Sequence, residues 1–229
     1  KLVSRPLYVL LPVLMIVAPT VLVLMQPNLG TSLMLILGGG TVMFAAGVSL
    51  WYFGGVLALG VSAVVGVFTL RGTPWQFLHD YQYARIDTFL DPSADPLGAG
   101  YHIIQAKIAL GSGGWSGKGF MQGTQSRLNF LPEKHTDFIF AVIGEEFGLL
   151  GALALLLLYL LIVGRGLYIA AAAPDTFSRL LAGSLSITFF FYVFVNTAMV
   201  MGMIPVVGVP LPLVSAGGTS LVTLMAGFG

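Results

Sequence analysis

Long uncharged stretches alternate along this chain with one charge-rich stretch. Residues 6–70 contain no Asp, Glu, Lys, Arg or His, a run of 65 residues. That length has room for three membrane crossings of about 20 residues each. Gln26-Pro27-Asn28-Leu29-Gly30 reads as a turn, and residues 49–55 set Trp51 and Tyr52 beside two glycines. These breaks predict spans over 6–25, 31–49 and 53–70. Two further uncharged runs cover 147–164 and 180–229. Within the last run, residues 202–212 hold three prolines and two glycines in eleven positions, which excludes a regular helix. The pattern predicts a span over about 180–201, an irregular apolar segment that re-enters the membrane face, and a final span starting near Gly218. Irregular backbone at that depth must be buried in protein or line a watery cavity.

Composition turns this pattern into a class. Hydrophobic residues make up 57% of the chain and charged residues 8%, with a mean hydropathy of +0.94. A soluble domain carries about 25% charged residues, so both a soluble globule and a disordered chain are excluded. The expected fold is an all-α polytopic membrane protein: a helical bundle with a long, partly helical extracytoplasmic loop and a Pro/Gly-rich re-entrant segment. A net charge of +1 indicates no nucleic-acid partner. With no cysteine there is no disulfide framework, thiolate metal site or Cys nucleophile. No cleavable signal peptide is read. A start at Lys1 and a stop at Gly229 inside an apolar run mark the chain as a piece of a longer one.

The distribution of charge sets the expected topology. Lys1 and Arg5 precede the first span, and Arg165 and Arg179 bracket residues 166–178, whereas the short connections 26–30 and 203–216 carry no Lys or Arg. Basic residues mark cytoplasmic loops, so the segment 71–136 is expected outside. It is too long for its own six basic residues to count against that. Residues 71–146 hold 14 of the 19 charged residues and all three histidines. Chemistry is therefore expected there. Within it, residues 101–110 read as an amphipathic helix with Ile104, Ile108 and Leu110 on its apolar side, suited to the outer interface.

Several residues in this region suit more than one role. The glycine-dense stretch 111–119 offers free amides beside Lys118, which fits a phosphate cradle and equally a flexible connector. It lacks P-loop spacing, because position 112 is Ser and 119 is Gly. Asp137 falls at the first turn of the next span, where a carboxylate suits the helix dipole as an N-cap. Beside Lys134 and His135 it suits a general base as well. Glu145 and Glu146 lie about 12–14 Å deeper at helical rise, and at least one must face protein or water. Ala141, Gly144, Glu145 and Gly148 share the face of Asp137. That stripe permits a close neighbour or a cavity, with Glu145 either paired to a basic or hydroxyl group on another helix or used in function. Lys107, Lys118, Arg127 and Lys134 form either a solvated face or a phosphate-binding set. His79, His102 and His135 show no metal-ligand spacing.

The motifs Gln26-Pro27-Asn28-Leu29-Gly30-Thr31, Asp95-Pro96-Leu97-Gly98-Ala99-Gly100-Tyr101, Gly123-Thr124-Gln125, Leu131-Pro132-Glu133, His135-Thr136-Asp137-Phe138, Glu145-Glu146 and Pro210-Leu211-Pro212-Leu213-Val214-Ser215 follow in order over the whole chain. Together they resemble the SEDS family (shape, elongation, division and sporulation). The Asp-Pro-Leu-Gly-Ala-Gly-Tyr stretch and residues 206–210 are similar to its elongation branch rather than its division branch. The resemblance implies a ten-span protein of which residues 1–229 form a single membrane domain from the fifth span into the tenth, truncated at both ends. Residues 71–136 would be its large extracytoplasmic loop, and the fragment by itself would be inactive. It further implies a peptidoglycan glycosyltransferase in the bacterial cytoplasmic (inner) membrane. The enzyme would polymerise lipid II into lipid-linked glycan during elongation, with a class B penicillin-binding protein as crosslinking partner and membrane lipids around it. The family's essential aspartate maps to Asp137. Gln125 and Glu133 join Lys118, Arg127 and Lys134 as substrate-binding candidates, while Glu145, Glu146, Gln26 and Asn28 are structural or line a cavity. Asn28 stands where the family commonly has Asp, which questions any role needing negative charge there and leaves a hydrogen-bonding one.

A lipid-diphosphate donor has a good leaving group. The step then needs a base for the acceptor hydroxyl and positive charge for the departing diphosphate. Asp137 is the expected base and Lys118, Arg127 and Lys134 the expected charge, with a divalent cation (Mg or Mn) able to share that task. Direct attack would invert the α-linked donor. On physical grounds a lipid II flippase or transporter, or a scaffold that activates a penicillin-binding protein, suits the same intramembrane acids and prolines.

Overall fold

A computed structural model describes residues 6–26, 28–73, 80–91, 99–128, 130–131 and 135–228. The described residues form nine helices and no strand: α1 (Pro6–Leu24), α2 (Leu29–Ala45), α3 (Leu50–Thr69), α4 (Asp80–Leu90), α5 (Ala99–Ser112), α6 (Thr124–Arg127), α7 (Ile139–Ala172), α8 (Thr176–Val200) and α9 (Gly218–Phe228). The chain is an all-α polytopic membrane protein. α3, α7 and α8 are long and apolar enough to cross a bilayer. α1 and α2, at 19 and 17 residues, reach about 26–29 Å at helical rise, close to the hydrocarbon thickness of about 30 Å. The expected spans over 6–25, 31–49, 53–70 and 180–201 agree with α1, α2, α3 and α8 to within four residues, whereas α7 runs eight residues past the uncharged run that ends at 164, and α4 and α6 were not expected.

α8 is the centre of the bundle. It packs on α7 along one side and α2 on another, with α1 outside α2 and α5 against α7. Phe140, Phe189, Met199 and Leu211 are sealed in this core. Phe189 stacks edge-on against Tyr159. Between α8 and α9 the chain has no regular structure, and its Val209 and Leu211 are buried. The middle of this irregular segment is thus packed into protein, which gives its backbone partners there. Tyr159 Oη donates to the Pro212 carbonyl at 2.6 Å, and Asn196 Nδ2 donates to the Val209 carbonyl at 2.7 Å.

α7 is broken at Gly148, whose φ of 68° and ψ of −166° leave the helical region. In an unbroken helix Leu149 and Leu150 would donate to the carbonyls of Glu145 and Glu146. Here Leu149 N donates to Gly114 O (2.9 Å) and Leu150 N to Trp115 O (3.1 Å). The released Glu145 and Glu146 carbonyls accept from Lys118 N and Gly119 N, both at 3.0 Å. The glycine-dense stretch is therefore inserted into the helix ladder and satisfies both of its open ends. It is neither a free connector nor a set of amides available to phosphate. A Cβ at Gly117 would collide with the Glu146 carbonyl, and one at Gly148 with the backbone of Gly117 and Trp115.

α5 also differs from expectation. Its buried face carries Ile103, Ala106 and Ala109, while Ile108 is exposed. The helix packs on α7, where a Cβ at Gly144 would collide with Leu110. Small residues suit that contact because the backbones run close; of the expected apolar side, Leu110 packs there and Ile108 does not. α4 is tied back to the end of α3. Arg71 forms a two-pronged ion pair with Asp87 (2.7 and 2.6 Å) and stacks over Tyr83, whose Oη donates to Val67 O at 3.0 Å.

Two outcomes follow. Gly148→Ala and Gly117→Ala should each cost about 3 kcal/mol or prevent folding, read as thermal midpoint in detergent. Gly164→Ala, with open space around it, should stay within about 1 kcal/mol. The hydrogen bond from Arg71 holds the exposed Asp87 carboxyl below its ordinary value of 3.8. A depressed carboxylate stabilises the folded form above its unfolded pKa and loses that contribution as pH falls through the folded value. Amide exchange in α4, corrected for intrinsic rate, should stay flat from neutral pH down to the ordinary aspartate range and quicken only below it.

Candidate functional site

The polar cleft of the molecule forms where three connections meet. The α1–α2 turn supplies Gln26, Asn28 and Leu29. α4 and α5 supply Thr88, His102 and Ile103. Asp137 precedes α7, and Val206, Val207 and Gly208 come from the irregular segment. The cleft encloses about 500 Å³.

Asp137 owes its place to its backbone. Its carbonyl accepts from Asn196 Nδ2 at 2.8 Å. The Thr136 carbonyl accepts from Ser215 Oγ at 2.5 Å, and the His135 carbonyl accepts from Ala216 N at 2.7 Å. Three consecutive carbonyls are thus gripped by α8 and the irregular segment. Asn196 is fully buried, and its two amide hydrogens bridge Asp137 to Val209. Ser215 Oγ also accepts from Leu211 N at 2.7 Å. The N-cap of α7 is Phe138, with no side-chain cap hydrogen bond, and the first turn holds no acid. The expectation of Asp137 within that turn is corrected: it sits one residue before the N-cap and two before the first helical residue, facing Gly208, still near the positive end of the dipole.

On the opposite wall, Asn28 caps α2. Its Oδ1 accepts from Thr31 N at 3.1 Å. That use of the oxygen needs no negative charge, which suits Asn here. The turn lies so close to the irregular segment that a Cβ at Gly30 would collide with the Val207 carbonyl.

The other expected site residues lie elsewhere. Glu145 is fully buried and receives Lys118 Nζ (2.8 Å), Thr124 Oγ1 (3.1 Å), Gln125 N (2.9 Å) and Ser126 N (3.2 Å). Lys118 Nζ also reaches Thr124 Oγ1 at 2.8 Å. Four donors saturate a buried carboxylate, which explains how an acid is tolerated inside a span. The partners are a loop lysine and, on α6, the Thr124 hydroxyl with two backbone amides. Lys118 is the counter-ion of Glu145, and it does not line the Asp137 cleft. Gln125 contributes its backbone to the same knot, while its Oε1 is buried without a partner. Glu146 is buried, and Arg127 is exposed at the end of α6. Glu133 and Lys134 lie outside the described residues, as does His79.

Two cleft residues were missed from sequence, Thr88 and His102. His102 precedes Ala106 and Ala109 by four and seven positions, so it shares the buried stripe of α5. That signal was hidden by placing the packed face on the larger isoleucines. Among the described residues no group of three or more His, Asp or Glu could hold a metal ion. Asp137 and His102 alone do not form such a set, and no step is routed through a cation.

The family model described as cell cycle protein, for FtsW, RodA and SpoVE, matches residues 2–229. The chain belongs to this family. The SEDS resemblance of the motifs is therefore borne out. The chain is similar to the peptidoglycan glycosyltransferase MrdB of Escherichia coli K12, at 57% identity over 216 residues, covering 94% of this chain and 56% of that one. It is 39% identical over 219 residues to the probable peptidoglycan glycosyltransferase FtsW of Geobacter sp. strain M18, covering 95% and 57%. Its fold matches a chain from a peptidoglycan synthase complex described as coordinating polymerization and crosslinking, with a TM-score of 0.78, 32% identity, and coverage of 98% and 60%. The crystal structure of the Thermus thermophilus rod shape determining protein RodA matches with a TM-score of 0.60 and 28% identity, covering 98% and 55%. The chain spans about half the length of the curated relatives it matches.

The Lys118–Glu145 knot yields a stability test. Lys118→Met strands a buried carboxylate and should cost about 3 kcal/mol. Glu145→Gln should cost less, about 1–2 kcal/mol, because Lys118 is 27% exposed and can turn to water. The double variant should recover most of the lysine's loss. Thermal unfolding in detergent, read as a double-mutant cycle, checks this, and additive losses would show that the pair is not coupled.

Proposed function

We propose that this chain carries the reaction centre of a peptidoglycan glycosyltransferase that polymerises lipid II at the outer face of the bacterial cytoplasmic membrane. The observation that carries this reading is Asp137. Its carboxylate lines a polar cleft at the end of a membrane span, and the backbone on either side of it is held by three hydrogen bonds. A base must be held within hydrogen-bond reach of the proton it takes, and a fixed backbone provides that. The names of the relatives as peptidoglycan glycosyltransferases support the same chemistry.

In this reading Asp137 takes the proton of the acceptor sugar hydroxyl. That oxygen bonds to the donor's anomeric carbon as the bond from that carbon to the lipid diphosphate breaks. The electron pair leaves with the diphosphate, and the α-linked donor yields a β-linked product. No covalent enzyme intermediate is formed. Gln26 and Asn28 offer amide donors across the cleft, and Arg127 offers exposed positive charge at the loop surface. Residues 1–229 act as one membrane domain with 71–136 on the outer side, an orientation supported by the basic residues bracketing 166–178. A class B penicillin-binding protein is the proposed partner. It is supported by the likeness to a chain from a complex that coordinates polymerization and crosslinking.

The test uses purified full-length protein with fluorescent lipid II. Wild type should form glycan polymer, and Asp137→Asn should lose at least about a hundredfold in rate, the lower end of general-base contributions. Polymerisation at an unchanged rate would remove Asp137 as base. Movement of lipid II between leaflets with no polymer would replace the enzyme with a flippase.

A further inference from the structure

We propose that His102 is a second substrate-contacting residue of the Asp137 cleft, donating a hydrogen bond from Nε2 to the diphosphate of the lipid-linked donor. The inference rests on the glycosyltransferase reading and deepens it. It starts from a mismatch between the chemistry and the cleft. A diphosphate next to the Asp137 carboxylate needs donors to hold it, yet no Lys or Arg lines the cleft among the described residues, and Lys118 is bound to Glu145. The lining side chains able to donate are the Gln26 and Asn28 amides, the Thr88 hydroxyl and the His102 imidazole.

The surroundings of His102 select which nitrogen acts. The ring borders the cleft and lies against Phe138, the neighbour of Asp137, with centroids 6.4 Å apart. Its Nδ1 is buried and has no hydrogen-bond partner. A buried N–H with no acceptor is costly, so the proton belongs on Nε2, and the tautomer is set by the missing acceptor at Nδ1. The residue is half-buried. With Nδ1 sealed inside, Nε2 is the nitrogen left to address the cleft as a donor. α5 fixes it there, since Ile103, Ala106 and Ala109 anchor the helix.

The experiment measures binding to full-length protein in nanodiscs with two probes of one chain length, farnesyl diphosphate and farnesol. His102→Phe should weaken farnesyl diphosphate by about tenfold and leave farnesol unchanged. His102→Gln, which keeps a side-chain N–H, should restore most of the diphosphate affinity. Equal weakening of both probes by His102→Phe, or no recovery in His102→Gln, would show a packing role and overturn the proposal. Unchanged diphosphate binding in His102→Phe would overturn it too. In parallel, Asp137→Asn is assayed for polymer. Loss of polymer there with no His102 effect on diphosphate would retain the enzyme and remove this contact. A His102-dependent diphosphate site in a protein that makes no polymer would retain the contact and remove the reaction.

Discussion

Inside a bilayer a backbone carbonyl released from its helix has no water to turn to. α7 releases two of them, at Glu145 and Glu146, by breaking at Gly148. Lys118 and Gly119 supply the missing donors, while Gly114 and Trp115 receive the two orphaned N–H groups. The placement of the α5–α7 connection hangs on this exchange. It holds the glycine-dense loop against α7 and brings Lys118 over Glu145. It also sets α6, whose first residues donate into the same carboxylate. The insertion needs backbones in contact, which is why glycine occupies 117 and 148.

The same constraint shapes the inner wall of the cleft. The irregular segment between α8 and α9 cannot satisfy itself, so α7 and α8 reach into it through Tyr159 and Asn196. Asn196 and Ser215 pass that order on to the backbone of Asp137 and Thr136. The Asp137 backbone is thus held by the same residues that satisfy the proline-rich irregular segment. Structure and site share one network, and a change in the segment reaches the cleft without touching the carboxylate itself.

Two acids eight residues apart illustrate how environment divides roles. Glu145 meets four donors within the protein and serves to join loop and helix. Asp137 borders a cavity of polar side chains, where its carboxylate can meet a ligand. Residue type and helical spacing put both on one face and could not separate them, because the separation depends on what the loop brings to each.

The amino-acid sequence by itself determined the membrane class, the approximate bounds of most apolar helices and the stretch where charge gathers. Hydrophobic run length and the cost of burying charge are local quantities that a chain carries in its order. The motifs pointed to Asp137 in the same way. Which residue pairs with Glu145 was decided only by the tertiary structure. Lys118 and Glu145 are 27 positions apart, and no periodicity links a loop lysine to a carboxylate in a distant span. The face of α5 was likewise decided by contact: the close approach of α7 buries Ala106 and Ala109 beside Ile103, and His102 borders the same cleft as Asp137. Pairing across the fold depends on which backbones can approach, and that is a property of the assembled bundle.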